Sequence, residues 1–217
     1  MFIKKKFTEM TINDYIINHT EKEDSVLDEL ERETNLKVLR PRMLSGHYQG
    51  KLIEFLSKMI QAQKILEIGT YTGYSAICWA KGLKEGGILH TIDINDELEG
   101  IITKYINKSG LKEKIKLHFG DAMNIIQTIN ETFDIVFIDA DKPNYLNYYN
   151  LVFDKVKRGG YIIADNVLWD GKVIKEMKKE DESTKAIKEF NNFIQNDDRV
   201  ENIILNIRDG LMIARKK

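Results

Sequence analysis

The sequence predicts an α/β protein: a Rossmann-like, seven-stranded, mostly parallel sheet with helices on both faces and a C-terminal antiparallel hairpin. Three observations predict it. Short apolar runs alternate with stretches of helical periodicity from residue 64 to residue 164, the pattern of parallel strands covered on both faces. A glycine-bearing turn, Gly69-Thr70-Tyr71-Thr72-Gly73, follows the first apolar run, where doubly wound sheets bind ligands. The last two runs, 200–207 and 211–214, are joined by Arg208-Asp209-Gly210, and Asp-Gly between apolar runs is a hairpin signal.

The elements follow in order. The opening stretch is helical and peripheral, with Thr20-Glu21-Lys22-Glu23 as a capping box for a helix carrying Leu27, Leu30 and Glu33. Arg40-Pro41-Arg42 breaks that helix, because proline disfavours helix at the residue before it. Ser45 caps the next helix, whose apolar stripe is Leu52, Ile53, Leu56, Met59 and Ile60. Residues 64–68 form the first strand, and helix follows through Trp79. Gly86-Gly87 turns the chain into a strand over 88–94. Leu98, Ile101, Ile102, Tyr105 and Ile106 mark a helix that leads through Gly110 to a strand over 115–119. A short helix over 123–129 precedes the strand 133–138. Tyr145, Tyr148, Val152, Phe153 and Val156 mark a helix ended by Arg158-Gly159-Gly160, and the strand 161–164 comes next.

At 217 residues the chain is long enough for one α/β domain over 1–217 and too short to need two. Residues 1–44 read as an N-terminal helical segment and 45–217 as the core. A net charge of −1 gives no overall field toward nucleic acid or anionic lipid. The single cysteine, Cys78, excludes an intramolecular disulfide and a cysteine-rich zinc site, and its apolar helical setting makes it a buried structural thiol. Met1-Phe2-Ile3-Lys4-Lys5-Lys6 is followed by polar residues and not by the apolar core of a signal peptide. No apolar run is long enough to span a bilayer, so a cytoplasmic protein without membrane contact is expected.

Two apolar runs end in acid: Phe137-Ile138-Asp139-Ala140-Asp141-Lys142 and Ile163-Ala164-Asp165-Asn166. A carboxylate beside an apolar core is costly unless a cation satisfies it. Asp139, Asp165 and Asn166 therefore suggest a hard divalent ion held through oxygen, with Lys142 one turn away as a base. A salt bridge from Lys142 to Asp139 or Asp141 is the alternative. The turn after the first strand spaces its glycines Gly-x-x-x-Gly, unlike the dinucleotide Gly-x-Gly-x-x-Gly. It suits a nucleoside cofactor without phosphates. Glu67, Asp93 and Asp121 stand at the ends of three consecutive strands; Asp93 is placed to accept from ribose hydroxyls and Asp121 from an adenine amino group. Two helix-capping aspartates beside a generic turn are the plainer alternative.

Three motifs now stand together: Glu-Ile-Gly-x-Tyr-Thr-Gly-Tyr-Ser over 67–75, Asp-Ala-Asp-Lys-x-x-Tyr over 139–145 and Asp-Asn-x-Leu-Trp-x-Gly over 165–171. With them the chain, from Met43 onward, resembles the class I S-adenosylmethionine-dependent methyltransferases, and within them the caffeoyl-CoA and catechol O-methyltransferase family. The resemblance implies that Met43, Ser45, Glu67, Gly69, Thr72, Gly73, Ser75, Asp93, Asp121, Ala122 and Asp139 line the S-adenosylmethionine site. It implies metal ligation by Asp139, Asp165 and Asn166, with Mg²⁺ or another divalent ion such as Mn²⁺ or Ca²⁺, and proton acceptance by Lys142. It also implies a homodimer, S-adenosylhomocysteine as product, and methyl transfer to a hydroxyl oxygen of a small catechol-like or phenylpropanoid aromatic.

Acceptor contacts in this family come from the N-terminal segment and the loop after Trp169. Lys172, Lys175, Lys178 and Lys179 in that loop suit an anionic acceptor such as a CoA thioester or RNA, though interspersed acids also fit a solvated loop. Arg40 and Arg42 are a second anion contact, and Trp169 either walls an aromatic acceptor or packs. His47 lies near the cofactor mouth, while His19, His90 and His118 show no paired spacing. Some bacterial relatives methylate a hydroxylated uridine in tRNA, which makes tRNA the alternative partner. A nucleotide-binding module without catalysis is the remote one, and it leaves Asp139, Lys142, Asp165 and Asn166 without a purpose.

Overall fold

The computed structural model describes residues 10–175 and 180–217. Its frame is one sheet of β1 (Lys64–Ile68), β2 (Ile88–Asp93), β3 (Ile115–Phe119), β4 (Phe133–Ile138), β5 (Val156–Asp165), β6 (Val200–Leu205) and β7 (Leu211–Lys216). The strand order is β3-β2-β1-β4-β5-β7-β6. The first five strands are parallel, and β7 lies antiparallel between β5 and β6. The chain steps outward from β1 to β3, then returns to the other side of β1 with β4. That reversal opens a crevice above the carboxyl ends of β1 and β4.

Each central strand is apolar on both sides, as parallel strands between two helical layers must be. Leu66, Ile68, Val136, Ile138, Ile162 and Ala164 face a layer built from α6 (Ala122–Thr128), α7 (Tyr145–Phe153) and α8 (Glu182–Gln195). Ile65, Leu89, Ile135, Phe137 and Ile163 face α2 (Ser25–Lys37), α3 (Gly46–Ile60), α4 (Tyr74–Gly82) and α5 (Glu99–Lys108). A short α1 (Ile12–Asn18) buries none of its residues. Cys78 is buried within α4, and burial pushes its thiol pKa well up, so it is the structural thiol expected.

Several local expectations need correction. The capping box lies at Thr11 and Asp14 on α1, while Asp24 caps α2 by accepting from the Val26 N–H at 2.8 Å. Ser45 occupies the N-cap of α3 but makes no side-chain cap; its backbone is already helical and its side chain is buried. Arg158-Gly159-Gly160 does not end a helix: α7 stops at Phe153 and these residues lie inside β5. The register between β4 and β5 shifts just there, which two glycines permit in a strand. The expected Val156 end of that helix is the start of β5. The lysines Lys178 and Lys179, and the first six residues, lie outside the described residues.

Candidate active site

The crevice is built from strand ends joined by backbone hydrogen bonds. Gly69 N–H donates to Ile92 O, Asp139 N–H to Ile68 O and Gly120 N–H to Asp93 O, each at 2.9 Å. Gly69 is obligatory by sterics. Its φ is +101°, and a Cβ there would stand 1.9 Å from the Asp139 carbonyl oxygen. The glycine turn and the acidic end of β4 are thereby pressed together.

Around the turn, the predicted residues take distinct positions. Glu67 is fully buried. Its Oε2 accepts from the Thr91 hydroxyl at 2.6 Å, with the Thr70 hydroxyl 2.5 Å behind it. Its Oε1 has no partner, and burial pushes its carboxyl up to about 8. Asp93 Oδ2 accepts from Thr70 N–H at 2.9 Å and Tyr71 N–H at 2.6 Å, and Oδ1 accepts from Asn95 N–H at 2.9 Å. With two lone pairs per oxygen, it retains one site for an outside donor. Asp121 caps α6, accepting from Met123 N–H at 2.8 Å and the Asn124 amide at 3.0 Å. Gly73 starts α4 at φ +89°. Thr72, Ser75 and Ala122 are buried, and Thr72 accepts from the Thr34 hydroxyl of α2 at 3.2 Å. Met43 is exposed.

The acidic ends of β4 and β5 meet at Lys142. Its Nζ stands 3.4 Å from Asp139 Oδ1 and 3.2 Å from Asn166 Oδ1, and it donates to the Tyr145 hydroxyl. Tyr145 in turn donates to the Asp165 carbonyl at 2.8 Å. Asp141 turns away, accepting from Tyr148 and Asn144 at 2.6 Å each. The ion pair to Asp139 is therefore real and the one to Asp141 is not formed. Asp165 is buried, and burial together with the nearby Asp139 charge pushes its pKa above the usual carboxylate range. Asn166, Trp169 and Asp170 all have φ between +49° and +60°. Backbone held there in non-glycine residues is concentrated at functional sites. Trp169 packs against the core beneath α7 and α8, with Lys142 5.8 Å and Lys172 5.5 Å from its ring.

Three residues of the site were not foreseen: Gln49, Tyr145 and Arg208. Gln49 Nε2 donates to Asp165 Oδ2 at 2.6 Å, and Arg208 donates to Ser45 O at 2.6 Å. Arg42, Ser45 and Arg208 border a hollow of about 470 Å³. A larger hollow of about 790 Å³ lies beside Phe193 and Arg199 and contains none of the predicted residues. His47 sits on the first turn of α3, 4.0 Å from Glu23. Among the described residues, no three His, Cys, Asp or Glu side chains converge as a metal cluster; the side chains at Lys142 are the Asp139 carboxylate and the Asn166 amide. No helix among them is long and apolar enough to cross a membrane.

This sheet and crevice define a class I methyltransferase fold. Residues 17–217 match the O-methyltransferase family, and the chain belongs to that family. It is 35% identical over 206 residues to the caffeoyl-CoA O-methyltransferase of Petroselinum crispum, covering 90% of this chain and 85% of the relative. Identity to caffeoyl-CoA O-methyltransferase 5 of Nicotiana tabacum is 34% over 185 residues, covering 80% and 77% of the two chains. Among solved structures, an O-methyltransferase from Bacillus cereus in complex with SAH superposes with a TM-score of 0.85 at 29% identity, covering 95% of this chain and 97% of the other. TomG from Streptomyces achromogenes, an O-methyltransferase involved in tomaymycin synthesis and solved with SAM, gives 0.86 at 26% identity, covering 94% of each chain.

Proposed function

We propose that this enzyme transfers the methyl group of S-adenosylmethionine to a hydroxyl oxygen of a small catechol-like or phenylpropanoid aromatic, with a divalent cation at Asp139, Asp165 and Asn166. The observation that carries this reading is the clustering of Asp139 and Asn166 about Lys142, with Nζ 3.2 Å from Asn166 and 3.4 Å from Asp139, beside a buried Asp165 whose backbone carbonyl accepts from Tyr145, itself bonded to Lys142. Two carboxylates and an amide oxygen fit a hard cation. The orphaned, buried Glu67 Oε1 fits the ammonium of the cofactor's methionine part. Met43, Ser45, Gly69, Thr72, Gly73, Ser75, Asp93, Asp121 and Ala122 complete the cofactor's surroundings, and Asp139 borders both cofactor and metal.

A bound Mg²⁺, Mn²⁺ or Ca²⁺ supplies positive charge that favours the ionised form of an acceptor hydroxyl. Lys142, once Asp139 is engaged by the cation instead of its own ion pair and its amine is neutral, would receive that proton and pass it to solvent. The acceptor oxygen then forms its bond to the methyl carbon as the carbon–sulfur bond breaks, releasing S-adenosylhomocysteine. Such an attack gains most of its rate from proximity and orientation, which the interlocked ends of β1 and β4 supply. The same reading makes the protein a cytoplasmic homodimer of one domain, with residues 1–44 flanking the acceptor.

A radiolabelled methyl-transfer screen over catechols, phenylpropanoid thioesters and undermodified tRNA, with and without Mg²⁺, tests this. Mg²⁺-dependent labelling of a catechol-like hydroxyl is expected, lost in Asp165→Ala. Full activity in excess chelator would falsify the metal assignment. Arg42, at the hollow beside the site, suits the phosphates of an anionic acceptor, a CoA thioester or, as the alternative, tRNA, since guanidinium groups bind phosphate. Steeply salt-dependent tRNA binding would favour that alternative.

A further inference from the structure

We infer that Gln49 and Arg208 form a positioning relay that holds Asp165 in the orientation in which it binds a divalent cation. The inference rests on the metal reading above. Gln49 is 1% exposed, and its Nε2 lies 2.6 Å from Asp165 Oδ2. A glutamine amide can turn over and present its oxygen instead, which would set two acceptors against each other. Arg208 prevents this. Its guanidinium carries only donors, and Nη1 stands 3.3 Å from Gln49 Oε1 and 2.6 Å from Ser45 O. Nη2 reaches Arg42 O at 3.4 Å. With its oxygen claimed by Arg208, Gln49 must present its NH₂ to Asp165.

The other carboxylate oxygen is also oriented, since Asp165 Oδ1 accepts from Asn166 N–H at 2.7 Å. Each oxygen keeps one lone pair free for a cation. Arg208 is itself held by the turn between β6 and β7, at φ +50°. That turn grips the segment after Asp165: Leu168 N–H donates to Asp209 O at 2.8 Å, Val167 N–H to Gly210 O at 3.1 Å, and Asp170 N–H to Asp209 Oδ1 at 2.6 Å. The terminal hairpin thus does more than close a sheet edge. It ties the start of α3 to the loop that carries Asp165 and Asn166.

Residues that orient metal ligands typically alter metal affinity by about 10–100-fold when removed. Mn²⁺ titration followed by electron paramagnetic resonance, on the full chain, reads this directly. Gln49→Leu should weaken Mn²⁺ binding by about 10-fold or more, and Arg208→Met should weaken it in the same direction. For Gln49→Leu, calorimetric affinity for S-adenosylhomocysteine should stay within about twofold of wild type, because the Gln49 amide contacts Asp165 and Arg208 and none of the residues placed around the cofactor alone. In turnover, the Mg²⁺ activation constant should rise while kcat at saturating Mg²⁺ recovers, which a general loss of structure would not give. A folded Gln49→Leu protein with wild-type Mn²⁺ affinity overturns the relay and leaves the metal assignment standing. If Gln49→Leu does not fold, wild-type Mn²⁺ affinity in Arg208→Met overturns it. Absence of Mn²⁺ binding by the wild type overturns both.

Discussion

Gly69 shows how little latitude a single residue has in this site. A methyl group there would sit 1.9 Å from the Asp139 carbonyl at a φ of +101°. Gly69→Ala should cost about 3 kcal/mol or more, from backbone strain and overpacking together, and should abolish S-adenosylhomocysteine binding; thermal melting and calorimetry check both. Lys142→Ala should lower turnover by about 100-fold or more, the low end of general base contributions, at unchanged cofactor affinity. Undiminished turnover would remove Lys142 from the chemistry. Glu67 carries a carboxyl raised by burial to about 8 in the ligand-free protein, so near neutral pH it holds its proton. A cofactor ammonium against Oε1 would favour the ionised carboxylate. Binding of S-adenosylhomocysteine at pH 7 should then release a proton, visible as a dependence of the calorimetric heat on buffer ionisation enthalpy. Glu67→Gln should abolish that dependence.

At the scale of elements, α3 and α4 pack closely through small residues. A Cβ on Gly82 would lie 2.3 Å from Ser57 Cβ and 2.6 Å from Glu54 O. Gly82→Ala should push the helices apart at a cost of about 1–3 kcal/mol, read as a lower melting temperature. Because α3 carries Gln49, Mn²⁺ affinity should fall with it. Helices and strands with clear periodicity were legible from the sequence: β1, β3 and β4 fall at 64–68, 115–119 and 133–138, as expected. The errors occur where local signals compete. Val156 continues an apolar helical spacing, yet pairing with Phe133 draws it into β5. Thr20 and Glu23 offered one capping box, but Asp24 stands one residue nearer the buried Leu27 and takes the cap. His90 and His118 lie 28 residues apart, and only the pairing of β2 with β3 brings their rings to a nitrogen–nitrogen distance of 3.0 Å.

Over the whole molecule, these buried groups make stability depend on pH in opposite senses. Burial lowers His90 to about 4 from an ordinary 6.5. The unfolded chain takes up that proton first, so stability is lost as pH falls from about 6.5 toward 4. Glu67 acts the other way. Its unfolded form releases a proton near 4.5 while the folded form keeps it to about 8, so stability is lost as pH rises through that window. The two oppose each other between about 4.5 and 6.5, and above 6.5 only the Glu67 loss continues. Ligand-free protein should melt at a lower temperature at pH 8 than at pH 6.5, with a smaller difference in Glu67→Gln. An equal difference in both proteins would remove Glu67 as its source.

What the sequence by itself determined was the kind of sheet, the order of its elements and the residues standing at its strand ends. Those follow from periodicity and from turn chemistry, which are properties of neighbouring residues. Asp139, Lys142, Asp165 and Asn166 were legible because carboxylates at the ends of apolar strands demand a partner. The tertiary structure alone decided which side chains hold those carboxylates in place. Gln49 lies 116 residues from Asp165, and Arg208 lies 159 residues from Gln49. Each looks like an ordinary polar surface residue in its own segment. Their meeting depends on where α3 packs and where the antiparallel hairpin turns, and no local spacing encodes a distance set by the packing of separate elements.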